Sequence, residues 1–325
     1  MLEFLIRRLF QSVLTLVVMS LLVFVGVFQI GNPLYVLVPP DASAQDMAKA
    51  AAELGLDRPL WEQYARFVRD AASGELGRSF VFNRPAATII LERLPATLEL
   101  ASVALLLTVA LGLPLGLLAG LKPDGPADRT IMFGSILGFS LPSFWVGLIL
   151  IMVFSVGLQW LPSTGRGATA SLLGLESSLF TRDGWAHIVL PAFNLALFNI
   201  ALVIRLVRAG TREAMLSDYI KFARAKGLKR RRIVLVHVLG NILIPIVTVL
   251  GLEFGSLIAF AVVTETIFTW PGMGKLIVDS INLLDRPVIV TYLLLTVLLV
   301  IAINFTVDIV YSLLDPRIRL RSEPA

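Results

Sequence analysis

Six stretches of this chain run for about twenty residues or more without an Asp, Glu, Lys or Arg: 9–40, 100–121, 130–165, 184–204, 233–252 and 287–307. A helix needs about 20 apolar residues to cross the roughly 30 Å hydrocarbon layer of a bilayer. Each stretch is long enough, and the fifth is expected to continue past Glu253 toward Glu265. A membrane β-barrel would instead show segments of about 10 residues with alternating polarity, and that pattern is missing. With 57% hydrophobic and 16% charged residues among 325, the chain has more apolar side chains than one water-soluble core of this size hides. These numbers exclude a disordered, a fibrous or an ordinary cytosolic protein. The expected class is an all-α polytopic membrane protein with six transmembrane helices.

The first stretch follows Arg7 and Arg8, as the apolar core of a signal peptide would. Such a core is about 7–15 residues long and leads to a small-x-small cleavage site. The run here is about twice that and leads into Gln29-Ile30-Gly31-Asn32-Pro33, so it reads as an anchor. Orientation follows from the short basic loops. Six spans place both termini on one side, with Arg7, Arg8, Lys122, Arg129, ten basic residues from Arg205 to Arg232, and Arg317, Arg319 and Arg321. That side is expected to be cytoplasmic. The formal charge of +5 then reports topology, and no nucleic-acid partner is expected.

The expected organisation is an N-terminal membrane helix (1–30), an extracytoplasmic helical insert (31–96), a five-helix core (97–315) and a cytoplasmic tail (316–325). In the insert, Ala44 to Leu54 is rich in Ala and Glu. A second helix should run from Pro59, placed in its first turn, to Ala72. Leu60, Tyr64, Phe67 and Val68 then form one apolar face, and Gly74 and Gly77 end it. The insert is expected to pack on the outer ends of the membrane helices, either as a plug or as a docking surface. In the core, the basic loop 208–232 should hold a short helix capped by Ser217 or Asp218, with body 219–226 and a left-handed stop at Gly227. Ile220, Phe222 and Ala223 would give it an apolar side, and Lys221, Arg224 and Lys226 its charge. Such a helix transmits force between two spans if a partner grips it; otherwise it is a solvated basic loop.

No catalytic, cofactor or metal site is legible. Cysteine is absent and only His187 and His237 are present, too few for a His/Cys metal centre. The nearest approach to a phosphate-binding loop, Pro271-Gly272-Met273-Gly274-Lys275-Leu276, lacks the first glycine and the terminal hydroxyl. Gly112, Gly116 and Gly120 recur every four residues, as do Gly134 and Gly138; both sets read as close helix packing. Pro114, Pro142, Pro191 and Pro245 read as kinks or broken turns that neighbouring helices re-satisfy. Glu99, Glu253, Glu265 and Asp308 fall in or beside the spans, where an ionised side chain costs about 2.5–3.5 kcal/mol on insertion scales. Glu253 and Glu265 stand roughly 120° apart around a helix, so they do not form a paired-carboxylate site, whereas Asn304 and Asp308 share a face. Each is open to a pathway-lining or a structural role.

The run DYIKFARAKGL (218–228), followed by His237-Val238-Leu239 and Asn241, resembles the EAA loop of ABC-importer permeases, in particular the dipeptide/oligopeptide/nickel branch. Other runs agree in order along the chain: LGLDRPL (54–60) with Gln63-Tyr64, ERLPATLEL (92–100), GFSLPSFWVG (138–147), Trp160-Leu161-Pro162, LPA (190–192), ETIFTWPGMGKL (265–276) and LDPRIRL (314–320). The resemblance implies a bacterial inner (plasma) membrane subunit that pairs with a second, homologous but non-identical permease. Two ATPase subunits would bind ATP and Mg, leaving this chain without a cofactor, and an extracytoplasmic binding protein would deliver the solute. Short peptides are the implied cargo, with nickel chelates and opines as variants. By the same resemblance, Asp218, Tyr219, Phe222, Ala223, Arg224, Ala225, Lys226 and Gly227 contact an ATPase. The wider pattern places a glutamate six residues before the glycine, where this chain has Lys221, and its I-x-L-P reads His237-Val238-Leu239-Gly240. Asp218 and Glu213 are the acids left for that part, and the sequence does not choose between them. The competing classes are a self-contained secondary transporter or channel, for which no internal repeat is visible, and an intramembrane enzyme.

Overall fold

The computed structural model describes residues 2–29, 43–53, 57–172 and 174–314. The linker 30–42, the Leu54-Gly55-Leu56 start of the LGLDRPL run, and everything from Asp315, including the basic tail, lie outside the described residues. The described chain is mainly helical, with one short hairpin. In order, the helices are α1 Leu2–Gln29, α2 Ala44–Glu53, α3 Leu60–Ala72, α4 Ala86–Leu121, α5 Pro126–Ser140, α6 Ser143–Leu150, α7 Arg182–Leu216, α8 Asp218–Ala225, α9 Leu239–Ile267, α10 Met273–Asn282 and α11 Arg286–Leu314. A π-helical turn, Ile151–Gly157, extends α6, and another, Ile233–Val238, leads into α9.

Five of these segments are long and apolar enough to cross a bilayer: Arg8–Gly26, Ala86–Leu121, Arg182–Leu216, Arg230–Ile267 and Arg286–Ile309. The sixth expected span is broken. Pro126–Ser140 and Ser143–Gly157 meet at 107°. Leu141, forced out of the helical region by the proline after it, sits at φ −82°, ψ 134°. Pro142 in turn has no N–H to continue the ladder. The uncharged run 130–165 is thus two helices joined at a corner. Pro191 and Pro245, by contrast, lie inside continuous helices.

The chain divides into two compact units, Met1–Pro95 with Gly272–Ile301, and Ala96–Pro271 with Ala302–Ala325. In the first, α3 packs on α1. Phe24 meets Tyr64 edge-on at 5.3 Å and Phe67 at 5.8 Å, and Ser20 Oγ lies 2.9 Å from the Tyr64 hydroxyl. Leu60 and Val68, expected on the same face, are exposed, and the ring contacts with α1 come from Tyr64 and Phe67. Pro59 is the N-cap rather than a first-turn residue. Further on, the buried Asp285 accepts hydrogen bonds from the Ser79 hydroxyl and the Phe80 N–H, and Thr291 Oγ1 donates to the Leu76 carbonyl at 3.1 Å. These bonds fix the approach to α4 against the start of α11.

The second unit is built on the pair α4–α7. A Cβ added at Gly112 would lie 2.7 Å from Val203 Cγ1; at Gly116, 2.6 Å from Val207 Cβ; at Gly120, 2.6 Å from Thr211 Cβ. Two four-residue ladders therefore interlock, glycine against side chain, and draw the backbones together. Gly138 approaches Leu197 in the same way, with 3.2 Å left for a Cβ. Gly134 does not: nothing lies within 4 Å, since its side of α5 faces away from the rest of the unit. Gly251, unremarked in the sequence, closes α9 on Val307 of α11. Trp270 is fully buried among Ala96, Leu100, Val103, Ile188 and Ala192, and its indole donates to the Ala96 carbonyl at 2.8 Å. An antiparallel hairpin, β1 Ala170–Leu172 with β2 Leu175–Ser177, is a departure from the all-helical expectation.

Candidate functional site

The basic loop folds as a helix seated on the ends of α7 and α9. α8 begins at Asp218 with Ser217 as N-cap, although the Ser217 hydroxyl binds the Ala214 carbonyl instead of capping. The far end closes as the glycine requires. Gly227 adopts φ +73°, its N–H donates to Arg224 O at 2.9 Å, and the Leu228 N–H donates to Ala223 O at 3.2 Å. This double bond pattern reverses the chain and turns Leu228 inward. The body is therefore one residue earlier than expected, Asp218–Ala225 rather than 219–226.

One face of α8 is fixed. Ile220 and Ala223 are buried in a cluster with Val207, Ala214, Ile233, Val238 and Ile242, and Leu228 packs against it. The Tyr219 hydroxyl accepts from Asn241 Nδ2 at 3.3 Å. Phe222 departs from the sequence reading. Two residues from Ile220, it is 62% exposed, because residues three or four apart share a helix face and residues two apart do not. Lys226 lies 4.6 Å over its ring. Asp218, Lys221, Phe222 and Ala225 thus share the outer face, with Arg224 and Lys226 beside it, all exposed. Asp218 pairs with Lys221 at 2.8 Å, while Glu213 is exposed on the last turns of α7 and borders a cavity of about 360 Å³ with Ser217, Tyr219 and Asn241.

Two ion pairs that the sequence did not join, each with its carboxylate buried and its arginine partly exposed, tie the second unit together. Arg166 grips Glu99 with two bonds of 2.9 and 2.6 Å, and the Ser178 hydroxyl adds a third at 2.9 Å. Arg208 likewise holds Asp128 at 2.5 and 2.8 Å, joining the start of α5 to α7. The partners stand 67 and 80 residues apart, so only the charge sign was available as a signal.

The intramembrane polar residues separate by environment. Glu265 is fully buried and accepts from Thr97 Oγ1 at 2.6 Å. Asn304 and Asp308 lie partly buried on one side of α11. Glu253 borders a cavity of about 450 Å³, enclosed by the corner between α5 and α6, the middle of α7 and the middle of α9. Asn194 and Asn199, which carried no signal in the sequence beyond their polarity, line the same cavity.

The structure is thus that of a polytopic helical membrane protein with an amphipathic helix seated against two of its spans, one face outward. Two family models cover almost the whole chain: the N-terminal part of binding-protein-dependent transport system membrane components over residues 1–101, and the binding-protein-dependent transport system inner membrane component over residues 112–320. The chain belongs to this family and is a permease subunit of an ABC importer. It is 42% identical to the di/tripeptide transport system permease protein DppB of Pseudomonas aeruginosa (strain UCBPP-PA14), over 98% of this chain and 99% of that protein. It is 37% identical to the dipeptide transport system permease protein DppB of Escherichia coli (strain K12), with the same coverage. The glutathione transport system permease protein GsiC of Escherichia coli (strain K12) is also 37% identical, over 99% of this chain and all of that one. Among solved structures, an inward-facing MetNI methionine ABC transporter chain shares the fold, with a TM-score of 0.54 at 18% identity over 70% of this chain and 96% of that one.

Proposed function

We propose that this permease carries short peptides, or related small solutes such as nickel chelates and opines, into a bacterial cell across the inner (plasma) membrane. The observation that carries the ATP-driven part of this reading is α8, held by Ile220, Ala223 and Leu228 and presenting Phe222 and its flanking charges outward. The peptide class rests on the relatives, which bear dipeptide, di/tripeptide and glutathione transport names along their full lengths.

In this reading α8 sits in a groove on one of two ATPase subunits, with Phe222 as the apolar anchor and Asp218, Lys221, Arg224, Ala225 and Lys226 around it. A second, homologous permease contributes the other coupling helix, and an extracytoplasmic binding protein delivers the cargo. In this reading α8 and both termini are cytoplasmic, which the basic short loops support. ATP and Mg are bound by the ATPase subunits, and this chain performs no hydrolysis. When the ATPases close, the push on α8 passes into α7 and α9 through the cluster Val207, Ala214, Ile233, Val238 and Ile242. A helix is stiff over such lengths. Leu216 to Asn199 is about 25 Å at 1.5 Å per residue, so displacement at α8 reaches the walls of the Glu253 cavity. Access to that cavity then alternates between the two sides.

The test is gentle extraction of the native complex with cross-linking directed at residues 212–232. Recovery of two ATPase chains and a second permease, with links from Lys221 or Lys226 to an ATPase, is the expected result. A chain that purifies alone or only with itself, from a preparation that keeps other complexes intact, overturns the reading.

A further inference from the structure

α3 carries more apolar surface than its contact with α1 uses. At 100° per residue its apolar side chains fill one continuous arc of about 160°, from Phe67 round to Ala65, and Glu62, Arg66, Arg69 and Asp70 lie together opposite. Tyr64 and Phe67, in one half of the arc, take Phe24 of α1. The other half is Trp61, Ala65, Val68 and Ala72, at i, i+4, i+7 and i+11, and all four are exposed, Trp61 by 69%. The contact with α1 fixes the depth of this stripe. Ser20, whose hydroxyl lies 2.9 Å from that of Tyr64, stands six residues before the end of the span Arg8–Gly26. At 1.5 Å per residue, Tyr64 therefore reaches about 9 Å inside the end of the span. Leu21, Leu22 and Val25 of α1 are exposed at the same level. A soluble protein arriving from outside meets the ends of the spans and not a level inside them. Nor does α3 cross the bilayer, because charges from Glu62 to Asp70 keep one side of it in water along its length.

We propose that α3 is an interfacial helix: it lies along the bilayer surface at the C-terminal end of α1, with Trp61, Ala65, Val68 and Ala72 among the lipid acyl chains and the charged arc in the headgroup water. Helices of this kind bury their apolar face about 5–10 Å into the boundary between headgroups and chains, which matches the depth set by Ser20. Trp and Tyr belong at that level, since each has an apolar ring and a polar tip. One half of the arc then closes on α1 and the other on lipid, so no apolar side chain of α3 is left to water. The partner of this part of the insert is the lipid surface, in place of the plug or protein-docking role that its sequence left open. The inference needs only the bilayer and is independent of the cargo and of the ATPase subunits.

The test places a photoreactive benzoylphenylalanine at one position of α3 at a time. Val68 and Ala72 probe the stripe, and Arg66 and Asp70 probe the opposite side, about 160° away on a helix about 10 Å across. None of the four is buried, so the larger side chain displaces no core. The full chain, with the subunits that purify with it, is rebuilt into vesicles of dioleoylphosphatidylcholine and illuminated, and the intact mass of this chain is read. An added mass of one such lipid reports the bulk bilayer, and an added mass of a polypeptide reports a protein neighbour. Positions 68 and 72 are expected to give about tenfold more lipid adduct than 66 and 70, because the two sides face different media. Equal lipid adduct on the two sides, no lipid adduct at 68 and 72, or adducts there chiefly with a second permease, a binding protein or another copy of this chain overturns the inference.

Discussion

Adding one methyl group to the α4–α7 contact should separate two kinds of close packing that look alike in sequence. Gly112→Ala places a Cβ 2.7 Å from Val203 Cγ1 and 2.9 Å from Val203 Cβ, while the Ile200 carbonyl stays at 3.7 Å, an ordinary contact. Gly116→Ala meets Val207 Cβ at 2.6 Å and Cγ1 at 2.8 Å, and the Ile204 carbonyl at 2.9 Å. Only the second conflict involves backbone, which moves only if the helices part. Overpacking of this kind costs about 1–3 kcal/mol, offset by about 1 kcal/mol for replacing glycine by alanine in a helix. Val203→Ala removes the nearest atom facing Gly112→Ala and leaves a contact that needs about half an ångström of relief, within what a core yields. Val207→Ala leaves both the 2.6 Å Cβ contact and the carbonyl. Double-mutant cycles read from the apparent thermal midpoint of the detergent-solubilised complex, at fixed heating rate, should therefore give a favourable coupling of about 1 kcal/mol for the 112/203 pair and about zero for 116/207. Equal rescue at the two positions, or Gly116→Ala at the unsubstituted midpoint, would refute the argument that backbone proximity sets the cost.

Gly227→Val should abolish transport while leaving the membrane helices assembled. No atom crowds the site, so the whole penalty, about 1–2 kcal/mol or more for a β-branched residue, comes from φ +73°; Gly227→Asn should retain most transport. Phe222→Ala should leave the thermal midpoint unchanged but lower substrate-stimulated ATPase activity. Ile220→Ala should cost about 2–5 kcal/mol of stability, and reversal of the two effects would mean that α8 is rotated. Arg166→Met strands the buried Glu99 carboxylate and should destabilise by about 3–5 kcal/mol, whereas Glu99→Leu with Arg166→Met should recover most of the loss. Complex yield and thermal midpoint check both, and a neutral single variant would show that Glu99 is held by Ser178 alone.

What a linear pattern records is local. The spans were legible because an apolar run is its own signal. The Gly227 stop was legible because only the left-handed region closes α8 there. The Gly112 ladder was visible as a period, although its mate, Val203, Val207 and Thr211, was not. Gly134 shows the converse: the same spacing faces nothing, because periodicity names a face and not its neighbour. Phe222 was misplaced for a related reason, since composition put it with Ile220 and Ala223 while helical geometry put it opposite them.

The sequence by itself determined that this chain is a helical membrane protein, that a short helix closed by Gly227 lies in its basic loop, and which family its motifs resemble. All of these depend on residue type within one or two helical turns. Only the tertiary structure decided which of the flagged prolines breaks its run, Pro142 and not Pro191 or Pro245, that Glu99 closes on Arg166 and Asp128 on Arg208, and that Asn194, Asn199 and Glu253 line one cavity. Those outcomes come from groups 54 to 80 positions apart, or from a corner that depends on what packs against it. The low dielectric around them makes each pairing decisive without leaving a mark in the local pattern.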